Sequence, residues 1–379
     1  MMEKNKYKAI ELFAGIGGFR IACENLDIET VWANDMESNA VKVYKDNFGE
    51  DSIVQGDINT LLDKIPEHDI LTGGFPCQPF SRAGKKKGID DYRGTLFETI
   101  IKIVNEKKPS FFVLENVNSI LFMQNGRHFR TILSALSDLG YKIEWRVFNA
   151  MEFGVPQHRE RVVIIGLRDG DCYDTYLLSN DVEKISQYDI DIIGRYDCWS
   201  DIVKSNSKFK NWGMAQRGRF VMTQVNEHPV QNIMMDDILQ NPCDVSERYY
   251  STEDTLKRIE KSVYVDKFYN GVHILYNQNG GARMGYTIFG TDGVSPTLTA
   301  STSRHYERYK IGDKYRRLTN IEYARLQGFP DNHCKAVSVN RQYKLYGNAV
   351  PHQIVEYVLS RIINDKHDKI QSNVISLFD

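Results

Sequence analysis

Between Lys8 and about Arg168 the chain alternates short apolar runs with segments of helical spacing, and few folds accommodate that alternation. Strands are predicted at Lys8–Phe13, Val31–Asp35, Ser52–Asp57, Asp69–Gly73, Phe111–Glu115, Lys142–Asn149 and Arg161–Leu167. Helices are predicted from the glycines after Phe13 to about Asn25, at Ser38–Phe48, at about Thr95–Glu106 and at His128–Leu139. Phe111–Glu115 shows no polar alternation and reads as a strand buried on both faces. The pattern implies an α/β domain, a mostly parallel sheet with helices on both sides. After about Arg168 regularity is lost. The stretch to about Tyr309 is polar and aromatic, and implies a smaller second domain, mixed or mostly β. Helical spacing returns at Asn320–Gln327 and Pro351–Asn364. The expected division is a sheet domain over 1–180 and 335–379, a second domain over 181–310 and a connecting segment over 311–334.

At 379 residues and 41% hydrophobic content the chain can bury two cores. No apolar run approaches membrane-spanning length, and Met1–Lys8 is too polar for a signal peptide, so a cytoplasmic protein with no membrane partner is expected. Six cysteines without a CxxC pair argue for a reducing compartment and against a structural metal site. A net charge of −2 does not advertise a polyanion partner, so nucleic-acid binding would need local basic patches.

Asp69–Ser81 carries the chemistry. Gly73 and Gly74 end a short buried strand, and Pro76 and Pro79 stiffen the turn around Cys77 and Gln78. That is the sheet edge where open α/β folds place ligands. A thiol there is either a nucleophile or a small buried hydrophobe, and this stretch alone leaves both open. Phe13–Gly18 follows one strand and opens a helix, with Gly15, Gly17 and Gly18 allowing close approach of a ligand, though not in the dinucleotide GxGxxG spacing. Asp35 and Asp57 end the next two strands. Either alone can be a solvated loop acid; three consecutive strand ends together favour an adenosine-containing ligand. Glu115 closes the strand expected beside Cys77 and can act as a general acid if burial raises its pKa, or simply cap a turn. Alternation puts Gln157, Arg159 and Arg161 on one face, able to fix a base or phosphate, although Arg/Glu alternation is often a surface ladder.

In order, FAGIGG (13–18), Asp35, GDI (56–58), GGFPCQPFS (73–81), ENV (115–117), QHRER (157–161), RRLTNIEYARLQGFP (316–330) and GNAVP (347–351) resemble the DNA (cytosine-5)-methyltransferases of bacterial restriction-modification systems. The likeness covers about 8–168 and 316–358, with a variable recognition region between. It implies a Rossmann-like methyltransferase sheet with a small target-recognition domain. It also implies methyl transfer from S-adenosylmethionine to C5 of a flipped cytosine in a short double-stranded sequence, without a metal. Cys77 then matches the nucleophile and Glu115 the acid. Arg159, with Arg161 supporting, matches the arginines that hold the base. Phe13, Gly15, Gly17, Gly18, Asp35, Met36, Asp57, Ile58, Pro76, Leu96, Asn348 and Ala349 match the cofactor side. Met36 stands where a bulkier aromatic often packs on adenine, and Ala83 where some members carry a serine.

For DNA, Arg82 and Lys85, Lys86 and Lys87 form a basic loop after the nucleophile, with Ser81 at its start and Gly84 and Gly88 as hinges. A second basic cluster runs through Arg304, His305, Arg308, Lys310, Lys314, Arg316 and Arg317, interleaved with Tyr306, Tyr309 and Tyr315. Gln157, Arg283, Met284 and Thr297 complete the expected DNA contacts; a Gly-rich hairpin tip is an equal reading of 280–285. The resemblance implies a monomer working with a cognate restriction endonuclease, functionally rather than by contact, in the bacterial cytoplasm or nucleoid. Three rivals stand beside it. One is an RNA cytosine-5 methyltransferase on the same fold. The others are a catalytically silent SAM- or DNA-binding regulator and, disfavoured by the glycine spacing, a dinucleotide oxidoreductase.

Overall fold

The apolar runs form strands where their side chains can be buried from both sides. The computed structural model describes residues 7–76, 96–168, 177–179, 191–192, 208–226, 228, 233–277, 286–300 and 307–368. In chain order the main elements begin with β1 (Lys8–Leu12), α1 (Gly18–Asn25), β2 (Glu29–Asp35), α2 (Ser38–Phe48), β3 (Val54–Gln55) and β4 (Ile70–Gly74). There follow α3 (Leu96–Lys107), β5 (Phe111–Val117), α4 (Arg127–Asp138), β6 (Tyr141–Asn149) and β7 (Glu160–Arg168). Next come β8 (Asp191–Ile192), β9 (Trp212–Gln216), β10 (Arg219–Thr223), α5 (Glu253–Glu260), β11 (Val263–Tyr269) and β12 (Val272–Asn277). The last are β13 (Thr287–Phe289), β14 (Arg308–Ile311), β15 (Lys314–Arg316), α6 (Asn320–Arg325), α7 (Val339–Asn348) and α8 (His352–Asp368).

The large sheet has ten strands in the order β3-β2-β1-β4-β5-β7-β6-β9-β10-β8. It is parallel from β3 to β5 and antiparallel beyond, where β7 lies between β5 and β6. Phe111 to Leu114 are fully buried, as a run without alternation requires. Phe112 and Leu114 pack with α3 and α4 on one face; Phe111 and Val113 pack with α1 and α8 on the other. The sheet continues through β9 and β10 to Thr223, past the boundary predicted at residue 180. A five-stranded sheet, β11-β12-β13-β14-β15, makes the smaller unit. Residues 311–334 are not a bare connector: they carry β15 and α6, and Leu318, Tyr323 and Phe329 share one core with Phe289, Tyr309 and Tyr346.

Candidate active site

Two neighbouring strand ends build the site. Gly74 on β4 pairs in register with Glu115 on β5. A Cβ at Gly74 would lie 3.0 Å from Glu115 Oε2 and 3.6 Å from Val350, so any larger residue there would press on the Glu115 carboxyl. Asn116 Nδ2 donates to the Phe75 carbonyl at 2.9 Å and fixes the turn that leads through exposed Pro76. Cys77, the next residue, lies outside the described residues, as do Ser81, Arg82, Lys85, Lys86, Lys87, Arg283, Met284 and Arg304.

Glu115 is buried, and its Oε1 accepts from Arg161 Nε at 2.8 Å. Burial raises its pKa, and the charges of Arg161 and Arg159 offset this only in part. Burial also lowers the pKa of Arg161, opposed by Glu115. A carboxyl whose neutral form is favoured, yet which is held by a cation, can both hold and donate a proton.

Arg159 and Arg161 share a face, as alternation predicts, but differ in task. Arg159 is fully buried; Nη1 donates to the Leu298 carbonyl at 2.9 Å, and Nη2 to those of Gly347 and Ala349 at 3.0 and 2.8 Å. Its terminal nitrogens are therefore committed to backbone, and Arg161 is the arginine beside Glu115. Gln157 is also fully buried: Nε2 donates to the Leu326 carbonyl at 2.6 Å and Oε1 accepts from Leu298 N at 2.9 Å. This corrects its expected DNA contact, because both ends of its amide are satisfied inside the protein. Thr297 likewise donates to the His158 carbonyl at 2.6 Å.

At the cofactor end, Asp35 Oδ2 accepts from Gly15 N and Oδ1 from Glu37 N, both at 2.7 Å. Burial raises the Asp35 pKa against these amide bonds. Each carboxylate oxygen keeps a free lone pair for ribose hydroxyls. Asn34 Nδ2 bridges to the Val54 and Gly56 carbonyls at 2.9 and 3.0 Å, so the ends of β2 and β3 are tied together. Phe13 takes φ 54 and packs partly on the core, and Gly17 takes φ 88. Gly18 abuts the Val350 carbonyl, where a Cβ would come within 2.6 Å, bringing the 347–351 turn to the start of α1. Met36, 71% exposed, and Asn348, also exposed, flank this glycine-walled cradle. Asp57 is exposed and caps the turn after it by accepting from Asn59 N, while Ile58 is buried. Leu96, half-buried, begins α3, and Ala349 is buried. A glycine-walled edge with a carboxylate and an amide fits an adenosyl ligand.

The second basic cluster splits. Arg316 is 2% exposed and bidentate to buried Glu322, with Nη1 to Oε2 at 2.7 Å and Nη2 to Oε1 at 2.6 Å. Tyr309 is fully buried, its hydroxyl 3.0 Å from that of Ser295. Neither faces DNA, since a paired buried charge and a core ring have no path to solvent. Arg308 is half-buried, and burial and the charge of Arg258 lower its pKa. The residue that motif reading passed over is Asn116, whose side chain sets the turn before Cys77; its only sequence signal was its place in ENV.

The fold and this edge define an α/β methyltransferase. Solved structures share the fold: Dnmt2 methyltransferase of S. pombe superposes with a TM-score of 0.64 at 19% identity, covering 96% of this chain and 100% of that one. A putative DNA modification methyltransferase encoded within a prophage (E. coli) gives 0.59 at 20%, covering 96% and 100%. The family model for C-5 cytosine-specific DNA methylase matches residues 7–364, and the chain belongs to that family. Among its relatives, Type II methyltransferase M1.ScrFI of Lactococcus lactis subsp. cremoris is 34% identical over 95% of this chain and 80% of its own length. Type II methyltransferase M.HhaI of Haemophilus parahaemolyticus is 32% identical over 93% of each. The protein is thus a DNA (cytosine-5-)-methyltransferase, of a family that uses S-adenosylmethionine. Among the described residues no helix is long and apolar enough to cross a membrane.

Proposed function

We propose that this chain methylates one cytosine within a short double-stranded DNA sequence through a covalent adduct to Cys77, as the modification partner of a restriction system. The observation that carries the mechanism is the Glu115 carboxyl, buried, raised in pKa and held by Arg161 one strand from the turn that ends at Cys77. S-adenosylmethionine, when bound, supplies an electrophilic methyl group. Cytosine C5 is a weak nucleophile, and addition of the Cys77 thiolate at C6 moves electron density onto it. Glu115 donates its proton toward ring N3, where negative charge develops during addition. Arg161 sits beside that carboxyl and meets the O2 edge of the base, whereas Arg159 holds the walls of the pocket. After transfer, loss of the C5 proton lets the C6–S bond break and returns Cys77. The base must leave the helix for C6 to be reached, at a cost of a few kcal/mol.

The Gly15–Gly18 cradle and Asp35 hold the adenosyl group, with Asn348 closing it from the opposite turn. Lys85 to Lys87 contact phosphates, and Arg283 and Arg304 supply base contacts. The test is a duplex carrying 5-fluorocytosine at the target, with S-adenosylmethionine present. It should give a denaturation-resistant complex with the wild-type protein and none with Cys77→Ala. A complex of equal yield from the variant refutes the assignment.

A further inference from the structure

The glycine-rich loop cannot hold its own shape. Phe13, Gly15 and Gly17 all take positive φ, at 54, 56 and 88°; the glycines reach these conformations freely but lose the most backbone freedom in holding them, so the loop's one shape depends on contacts from outside it. Strand neighbours hold the first half, with Ala14 N on the Asn34 carbonyl at 2.9 Å and Gly15 N on Asp35. The second half is held from far along the chain. His333 Nε2 lies 2.7 Å from the carbonyl of Ile16, the residue between the two left-handed glycines. The carbonyl can only accept, so the imidazole proton is on Nε2.

His333 is itself held through both its ring and its backbone. Its ring packs on Phe329 at 4.8 Å between centroids and on Phe48 at 6.2 Å. Its own carbonyl accepts from Asn47 Nδ2 at 2.8 Å, and its amide donates to the Pro330 carbonyl at 3.0 Å. It is 4% exposed, and burial lowers its pKa, which keeps a neutral ring as the donor. We propose that His333 is a positioning residue for the cofactor, its Nε2–H holding Ile16 so that the Gly15–Gly18 backbone keeps the shape that receives the adenosyl ligand. The proposal rests on the reading of that loop as the S-adenosylmethionine cradle.

The observations favour the hydrogen bond over mere packing as the means. Ile16 O faces outward from the loop toward His333, and the amides of Gly15 and Gly17 are already engaged, Gly17 N by the Ala14 carbonyl at 2.9 Å. An open cleft of about 550 Å³ lined by Phe48, Phe329, His333 and His352 lies beside the ring. Loss of the donor leaves the fold in place but frees the loop to sample shapes that do not bind.

The experiment is calorimetric titration of the whole protein with S-adenosylhomocysteine, for wild type, His333→Phe and His333→Gln. Phenylalanine keeps the ring contacts without the donor; glutamine keeps an N–H donor without the ring. Affinity should fall on the order of tenfold in His333→Phe, as expected for one lost hydrogen bond, and recover most of the way in His333→Gln. In steady state KM for S-adenosylmethionine should rise with kcat at saturation little changed. If His333→Phe does not fold, His333→Met serves as the donor-less variant. Wild-type affinity in a folded donor-less variant overturns the proposal, and so does a His333→Gln as weak as His333→Phe. Failure of the wild-type protein to bind S-adenosylhomocysteine overturns the cradle reading instead.

Discussion

Glu11, on β1 just before the glycine-rich loop, should make the fold less stable as the pH rises through neutrality. It is 1% exposed, and Tyr44 Oη donates to its Oε2 at 2.8 Å. Arg20, the first-turn amides of α1 and the Tyr44 hydroxyl all favour the ionised carboxyl, but burial outweighs them and raises its pKa from 4.5 to about 8. In the unfolded chain the group ionises near 4.5, while in the folded protein it keeps its proton up to about 8. The unfolded state therefore loses the proton first. The stability lent by the neutral form is complete below pH 4.5 and is lost progressively up to about 8, after which the curve flattens. At about 1.4 kcal/mol per pH unit that interval sets a ceiling of about 5 kcal/mol. Glu115, Glu144 and Glu307 are also raised by burial, so the wild-type slope is a sum, and the share of Glu11 is read by difference. Glu11→Gln keeps the shape and an acceptor for Tyr44 but cannot ionise. Urea unfolding of both proteins from pH 5 to 9 should show the variant gaining about 3–4 kcal/mol on wild type between pH 5 and 8. Parallel curves would refute the claim that this carboxyl is neutral in the folded protein.

Three further changes separate roles that the site brings close together. Glu115→Gln should lower the single-turnover rate about 10²–10⁴-fold with DNA affinity within a few-fold of wild type, because the proton matters where charge develops; equal losses in both would contradict this. Arg161→Met should show the same kinetic pattern. Arg159→Met strands the Leu298, Gly347 and Ala349 carbonyls and should instead lose about 3–5 kcal/mol in denaturant unfolding; a fully stable variant would show that the clamp is dispensable. For specificity, Lys86→Ala should weaken all duplexes alike and flatten the salt dependence. Arg283→Ala should relax preference at one base pair at a cost of about 1–3 kcal/mol, read from methylation of a library of sites.

The parallel half of the sheet was legible in the sequence because its strands are buried on both faces, and burial writes itself as uninterrupted apolar runs such as Phe111–Leu114. β9 and β10 were not. Trp212–Gln216 and Arg219–Thr223 are short, are flanked in sequence by polar residues and extend the sheet because β6 offers them an edge. Within the basic cluster around residue 310, Arg316 misled for a related reason: a count of charges ignores partners, and the partner of Arg316 is the helix-capping Glu322 six residues on. The two arginines of QHRER show where local reading ends. Alternation gives Arg159 and Arg161 the same face and the same chemistry, and nothing nearby ranks them. What ranks them is the set of carbonyls converging on one guanidinium, from Leu298 and from Gly347 and Ala349, between 139 and 190 residues away. Those carbonyls come from Leu298, after the five-stranded sheet's β13, and from the 347–351 turn that abuts the start of α1. The position that looks most like a substrate contact is thus the one that fastens these segments together. Three of the five N–H groups of Arg159 are spent on backbone oxygens, whereas the Nε of Arg161 is held by the Glu115 carboxyl, which is why the proposed base contact is given to Arg161.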